Sequence, residues 1–278
     1  MRERRLQVDR GRLRTFRWFW LTLVALTPQT LPALDPLLEP VVRAHGGLER
    51  WARVHALEFT YASDFAGYKV ADRQIWDPHG PWRLRIDSTD ETTTGKRYQI
   101  AYDGEHLWIA PNIDALAPLT PHFYYKTPAY FLGIPFVFAD PGARVRDLGL
   151  QRFEGETFQA LEVRFADGTG DTPEDVYWLY TYPQTHRLKL IYYIATHPEL
   201  IGERSVESLR RETVLYDEWQ DVGGLLLSRK ARYAVWQDDG RVGEALGGWR
   251  FDGLRLHHEP LGAEPFARPE GSVRVNPP

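Results

Sequence analysis

The chain has 278 residues, 43% of them hydrophobic, enough to bury a sizeable core in one large or two small domains. It contains no cysteine, which excludes disulfides, cysteine-ligated zinc, a cysteine nucleophile and a lipid-modified N-terminal cysteine. The net charge of −4 is unevenly spread: residues 1–33 hold seven of the 34 basic and two of the 38 acidic residues, leaving 27 against 36, or −9, for the remainder, a balance that offers nucleic acid no electrostatic foothold.

The basic stretch MRERRLQVDRGRLRTFR is followed by the apolar run WFWLTLVAL (18–26) and then by TPQTLPA. A basic start, a short apolar stretch and a breaker ending in a small residue form the pattern of a secretory signal segment, here 1–33. The apolar run falls well short of the roughly 20 residues a membrane-spanning helix needs. An exported protein, periplasmic or secreted, is therefore expected, with an uncleaved inner-membrane anchor as the weaker reading. Residues 34–278 are expected to form one domain.

Asp35-Pro36 opens a short helix by capping, with Pro at the first helical position, and Gly46-Gly47 ends it. Leu48, Trp51 and Val54 mark one side of a second short helix. His45 reads as a residue at a helix C-terminus, where partial positive charge is favourable. From there the signal is strand. Leu57, Phe59 and Tyr61 alternate with polar residues, as do Trp82, Leu84 and Ile86, and Tyr98, Ile100 and Tyr102 alternate with Arg97, Gln99 and Ala101. FEGETF (153–158) and the Gly223-Gly224 region read as hairpin turns, and Asp-Gly pairs at 103–104, 167–168, 239–240 and 252–253 each lie beside a strand-like run. About 11–12 regularly spaced strands without alternating helices predict a mainly β protein with an antiparallel sheet.

Residues 111–142 interrupt this pattern with six prolines and a dense apolar load. Such a stretch cannot lie in a central strand, so it is expected to form short helical turns that cover or plug the sheet. The hairpin EDVYWLYTYPQTHRLKLIYY (174–193) shows what it could cover. Val176, Trp178 and Tyr180 point one way and Tyr177, Leu179 and Thr181 the other; Leu188, Leu190 and Tyr192 likewise oppose Lys189, Ile191 and Tyr193. A hairpin of a simple sandwich is apolar on one face; this one is apolar on nearly both. The Pro-rich tail, 259–278, is expected to be loosely attached.

Several motifs resemble a known superfamily. AYDGEHLWIAP (101–111) resembles the D-G-x-x-x-W-x-x-x-P hairpin of the bacterial outer-membrane lipoprotein-sorting proteins, the periplasmic lipoprotein carriers. YWLYTYPQTHRLKLIYY, WDPHGPWRLRID and HEPLGAEPFARPEGSVRV are similar to further segments of those carriers in the same order. FYYKTPAYFLGIPFVFADPG, followed by GDTPEDVYWLYTYPQTHRL, more closely resembles an uncharacterised family of secreted bacterial proteins within that superfamily. The likeness runs over about residues 44–275. Tyr182 and Ala110 stand where the pattern has acidic residues, both at turns. The resemblance implies an antiparallel incomplete barrel, or half-barrel, around short helices, with an apolar concave face that holds acyl chains.

These readings converge on an exported, monomeric binding protein for a hydrophobic ligand, a lipid or an acylated polypeptide, with transient membrane contact, no nucleic acid and no cofactor. The expected lining is Phe59, Tyr61, Trp82, Leu84, Trp108, Phe131, Phe136, Trp178, Tyr180 and Tyr192. Arg83 and Arg85, which alternate with Trp82 and Leu84, read as a solvated outer face, or as rim groups meeting a lipid head group or carboxylate. Two alternatives stand beside the carrier reading: a hydrolase-type enzyme on the same scaffold, and a protein-interaction module. The chain has no G-x-S-x-G, H-E-x-x-H, P-loop or G-x-G-x-x-G motif. An enzyme would have to draw on scattered groups such as His106, His122, Asp140 and His186, brought together in a cleft. His257 and His258, adjacent on a strand, point to opposite faces and are not expected to share a metal. The acidic loop DGTGDTPED (167–175) reads as a solvated turn more readily than as a calcium site.

Overall fold

The structure is a computed structural model that describes residues 34–202 and 204–276. The signal segment expected at 1–33 lies outside the described residues. After α1 (Glu39–Ala44) and α2 (Leu48–Trp51) come β1 (Ala56–Phe65), β2 (Tyr68–Asp77), β3 (Arg83–Ser88), β4 (Gln99–Tyr102) and β5 (Leu107–Ala110). The Pro-rich segment supplies α3 (Pro121–Tyr124) and α4 (Thr127–Gly133), flanked by 3-10 turns at Ile113–Leu116 and Phe136–Ala139. Then follow β6 (Ala143–Phe153), β7 (Glu156–Phe165), β8 (Val176–Thr181), β9 (Leu188–Ile194), β10 (Glu212–Val222), β11 (Leu225–Trp236), β12 (Val242–His257) and β13 (Val273–Val275). All thirteen join one sheet in the order β13-β5-β4-β3-β2-β1-β12-β11-β10-β9-β8-β7-β6. Every pairing is antiparallel, and the two edges, β13 and β6, are not paired with each other, so the sheet is an open, incomplete barrel.

Turn chemistry sets much of this register. Glu154-Gly155 joins β6 to β7, and Gly223-Gly224 joins β10 to β11, each with both residues at positive φ, as two-residue hairpins between twisted strands require. Three of the Asp-Gly pairs also lie between strands. The fourth, Asp252-Gly253, sits within β12, where the pairing with β1 shifts register between Glu58 and Thr60. It is a bulge, with Gly253 at φ +64° absorbing the extra residue.

The tail corrects the expectation of loose attachment. Phe266 is 1% exposed and lies under the Arg83 guanidinium, 4.4 Å from the ring centroid. Arg83 also donates to the carbonyls of Leu261 and Gly262 and to Asp77, and Arg85 donates to Asp87 and the Ala267 carbonyl. Their cations thus clamp a strap of chain that ends in β13, paired with β5. Neither is left to solvent or to a ligand. His45 is corrected too. It caps α1, with Nδ1 2.8 Å from the Val41 carbonyl, but burial pushes its pKa down to about 4, so the ring is neutral near pH 7.

The core lies on the sheet face that carries Phe59, Tyr61, Trp76, Leu84 and Ile86, and the 111–142 segment covers it as expected. Phe136 stacks on Trp51 at 4.7 Å and 5°. At Gly133 the roof comes so close to the sheet that a Cβ would stand 2.7 Å from the Trp76 ring. A buried polar post also ties roof to sheet. Asp72 of β2, 1% exposed, accepts hydrogen bonds from Tyr124 of α3 (2.5 Å), Tyr98 (2.7 Å) and Gln74 (2.8 Å). Burial raises its pKa to about 6 although all three donors favour the ionised form.

The opposite face of strands β6 to β11 holds a second, separate apolar cluster that includes Phe153, Phe158, Tyr180, Leu190, Leu215 and Trp236. Phe153 of edge strand β6 lies 5.8 Å from Trp236 of β11, although four strands separate them in the sheet. At ~4.8 Å per strand a flat sheet would hold them more than 20 Å apart, so this end of the sheet curls over its own second face. Both apolar faces of the β8–β9 hairpin are thus covered by the chain itself, one by the roof and the other by the curl.

Candidate functional site

A cleft of about 520 Å³ opens between the roof and the strands beneath it. That volume is within the range of small-molecule sites. On the roof side it is walled by Tyr130 and Phe131 of α4, on the sheet side by Tyr177 of β8 and Tyr193 of β9, and at the mouth by Trp82 and Tyr102. The rings pack on one another: Tyr130 is 5.8 Å from Tyr177, Tyr177 stacks on Tyr193 at 5.8 Å and 21°, and Phe131 is 5.5 Å from Tyr193. Trp82, just ahead of β3, has φ +50°, an unusual conformation for a bulky residue, and its ring rests 4.7 Å from Trp76. Strain of this kind concentrates at binding sites, where surrounding packing holds it.

Ionisable groups line the cleft as well as rings. Asp175, at the start of β8, is buried and accepts from the Thr196 backbone N–H and hydroxyl, both at 2.7 Å, from Thr172 at 2.9 Å and from Tyr177 at 3.1 Å. Burial raises its pKa, and the donors oppose the rise. Glu212 accepts from the Tyr193 hydroxyl at 3.0 Å and pairs with Arg210 at 2.9 Å. Lys126, at the N-cap of α4, bridges to Asp171 of the β7–β8 loop at 2.6 Å. The 167–175 loop is therefore more than a solvated turn, since Asp175 is a buried hydrogen-bond hub and Asp171 an ion-pair partner. Among the described residues no group of three or more His, Asp or Glu side chains is arranged to hold a metal.

Of the ten predicted lining residues, Trp82 and Phe131 face the cleft. Phe59, Tyr61, Leu84 and Phe136 share that side of the sheet but are packed within the core, where they support the cleft rather than line it. Trp108, Trp178, Tyr180 and Tyr192 lie on the other face and are a correction. Strand alternation sends Leu107 and Ile109 into the core and Trp108 outward beneath Arg268, 4.6 Å from the ring centroid. It likewise sends Tyr177, Leu179, Ile191 and Tyr193 under the roof, and leaves Tyr180 and Tyr192 with the second cluster and Trp178 stacked on Tyr192. With both faces apolar, periodicity cannot say which is which, and a one-residue offset exchanges them.

Two of the four groups an enzyme could draw on share the cleft. His122 and Asp140 both line the cleft, but His122 Nε2 lies 2.8 Å from the Asn276 carbonyl and Asp140 accepts from the Gly142 N–H. His106 lies beside Asp103 and Glu105, and His186 in the β8–β9 turn. His257 approaches Glu58 at 3.4 Å while His258 is 3.1 Å from the Arg53 carbonyl, so the adjacent pair does diverge.

A sheet wrapped around short helices has counterparts among solved structures. A LolA superfamily protein from Nitrosomonas europaea superposes with a TM-score of 0.51 at 10% identity, over 85% of this chain and 98% of that one. The chain has the LolA-superfamily fold. A DUF1329 family protein from Desulfovibrio piger (TM-score 0.47, 10% identity, 78% of this chain and 90% of that one) is also similar. So is an outer membrane lipoprotein-sorting protein domain from Vibrio parahaemolyticus (0.45, 9%, 75% and 89%). No family model and no curated protein matches the chain. The LolA-like fold agrees with the order of sequence motifs, and the identity is low enough that only the fold carries across.

Proposed function

We propose that this is an exported, single-domain binding protein that holds a hydrophobic ligand, a lipid, acyl chain or acylated polypeptide, in the cleft and performs no chemistry on it. The observation that carries the reading is the cleft itself: about 520 Å³ left open between an apolar roof and an apolar sheet, walled by aromatic rings. A roof that merely completed a core would pack without such a space. The fold supports the reading, since it is shared with a protein of the lipoprotein-carrier superfamily. The ligand wall is then Trp82, Tyr102, Tyr130, Phe131, Tyr177 and Tyr193. Loading requires the roof to move, and the mouth could meet a membrane transiently while it does so. Among the described residues no helix is long and apolar enough to cross a bilayer.

The test is native mass spectrometry, with organic extraction, of exported protein purified without detergent. A stoichiometric apolar adduct is expected, together with binding of the probe N-phenyl-1-naphthylamine to the emptied protein. Protein that is empty as isolated and also fails to bind the probe overturns the reading.

A further inference from the structure

The charge around the cleft mouth bears on which head group a ligand can carry, and the inference that follows rests on the binding reading above. Among the described residues Lys126 is the single Lys or Arg in the lining. Its ammonium is surrounded by three aromatic rings, with Nζ 5.2 Å from the Tyr125 centroid, 5.5 Å from Tyr102 and 6.0 Å from Trp82, and it pairs with Asp171 at 2.6 Å. Rings and a carboxylate converging on one ammonium form the arrangement that recognises alkylammonium ligands. Trp82 lies just ahead of β3, Tyr102 at the end of β4 and Tyr125 at the C-cap of α3. Only the docking of roof on sheet brings them together.

The remaining ionisable lining has the same bias. Asp171 already offsets the charge of Lys126, and the other carboxyl groups are Asp140, Asp175 and the Arg210-paired Glu212, with His122 and His197 beside them. A ligand carboxylate entering here would meet like charge, and the one Lys or Arg of the described lining is already paired. Lys126, by contrast, is a flexible side chain, 24% exposed, paired with an Asp171 side chain that is 56% exposed, so it can swing outward along that carboxylate and leave the cage to another cation.

We propose that the cleft selects amphiphiles with an ammonium head group over those with a carboxylate, and that Lys126 is the built-in occupant of the cage which that head group displaces. The test compares twelve-carbon amphiphiles below their micelle concentrations, dodecyltrimethylammonium, dodecanoate and dodecanol, as displacers of bound N-phenyl-1-naphthylamine. The ammonium compound is expected to bind tighter than the carboxylate by about fivefold or more, the scale of one half-exposed charge contact plus the rings. Lys126→Gln, which takes the ammonium out of the cage, should widen that ratio. Asp171→Asn, which frees the lysine and removes its carboxylate, should narrow or invert it. Both positions are at the mouth, and an unchanged thermal midpoint identifies variants that fold normally. Equal affinities, a tighter carboxylate, or ratios unmoved in both variants overturn the head-group assignment and leave the cleft reading standing. Failure of the unsubstituted protein to bind the probe at all overturns the cleft reading itself.

Discussion

The two faces of the β8–β9 hairpin are both largely apolar and have different outcomes. Under the roof, Tyr177 and Tyr193 stack on each other and meet Tyr130 and Phe131, yet open space remains beside them and carboxyl groups border it. On the other face Tyr192 stacks on Trp236 at 4.4 Å and 4° and on Trp178 at 4.7 Å and 11°, and the curl of β6 brings Phe153 onto the same Trp236. The difference lies in the cover. A curling sheet brings regular strands to bear and can close on a cluster side chain by side chain. A roof of four-residue and seven-residue helices broken by proline cannot follow the sheet everywhere, and it leaves a cleft. Apolar composition marks a face that must be covered; the geometry of the cover decides whether anything else can enter.

The largest effect expected is in the closed face. Trp236, 6% exposed, joins the Phe153, Tyr180 and Tyr192 rings, so Trp236→Ala should cost about 3–5 kcal/mol of stability by denaturant unfolding. The folded fraction should still bind N-phenyl-1-naphthylamine with unchanged affinity. Loss of probe affinity in that variant would mean that the two faces are not independent.

Next is the post that holds the roof. The Asp72 carboxyl has a folded pKa of about 6, above its unfolded value of 3.8, so the native state binds the proton more tightly. The stability this confers is fully present below the unfolded pKa and is lost as pH rises to about 6, at most about 3 kcal/mol across that window. Asp72→Asn should remove this component. The stability difference between variant and parent, measured by denaturant unfolding at pH 4 and pH 7, should therefore move in the variant's favour as pH rises. A difference that stays flat with pH would show that Asp72 titrates normally and does not act as a buried post.

In the open face, Tyr130 is only partly buried, and Tyr130→Ala should cost about 1–2 kcal/mol of stability while weakening probe binding about tenfold, the reverse of the Trp236 pattern. The smallest effect should come from Trp178→Ala. Trp178 sits half-exposed at the end of the ring stack beneath Arg211, so about 1 kcal/mol is expected, with no change in probe affinity. If Trp178→Ala weakened the probe more than Tyr130→Ala, the assignment of faces would be reversed.

Local chemistry was readable because its causes are local. The Gly223-Gly224 and Glu154-Gly155 turns and the proline-broken roof each follow from the conformational limits of a few adjacent residues, and each appears where expected, whereas the first helix starts at Glu39, after a turn over Asp35-Pro36, with Leu38 at its N-cap. The tail misled because its anchors, Arg83 over Phe266 and Arg268 over Trp108, join residues far apart in the chain. Asp252-Gly253 misled for the opposite reason, as a strong local turn signal overridden by the long pairing of β12 with β1.

The sequence by itself determined an antiparallel, mainly β chain whose 111–142 segment had to lie over the sheet, because a strand cannot carry that proline content and that apolar load cannot face water. It also determined that the β8–β9 hairpin needed a cover on each side. Only the tertiary structure decided which side received which cover, and hence that Tyr177 and Tyr193 line the cleft while Trp178, Tyr180 and Tyr192 do not. The physical reason is that side chains alternate with a period of two residues. Once both parities are apolar, local pattern carries no sign, and the sign is supplied by contacts between segments distant in sequence: Phe131 on Tyr193, Phe153 on Trp236, and Lys126 held among Trp82, Tyr102 and Tyr125.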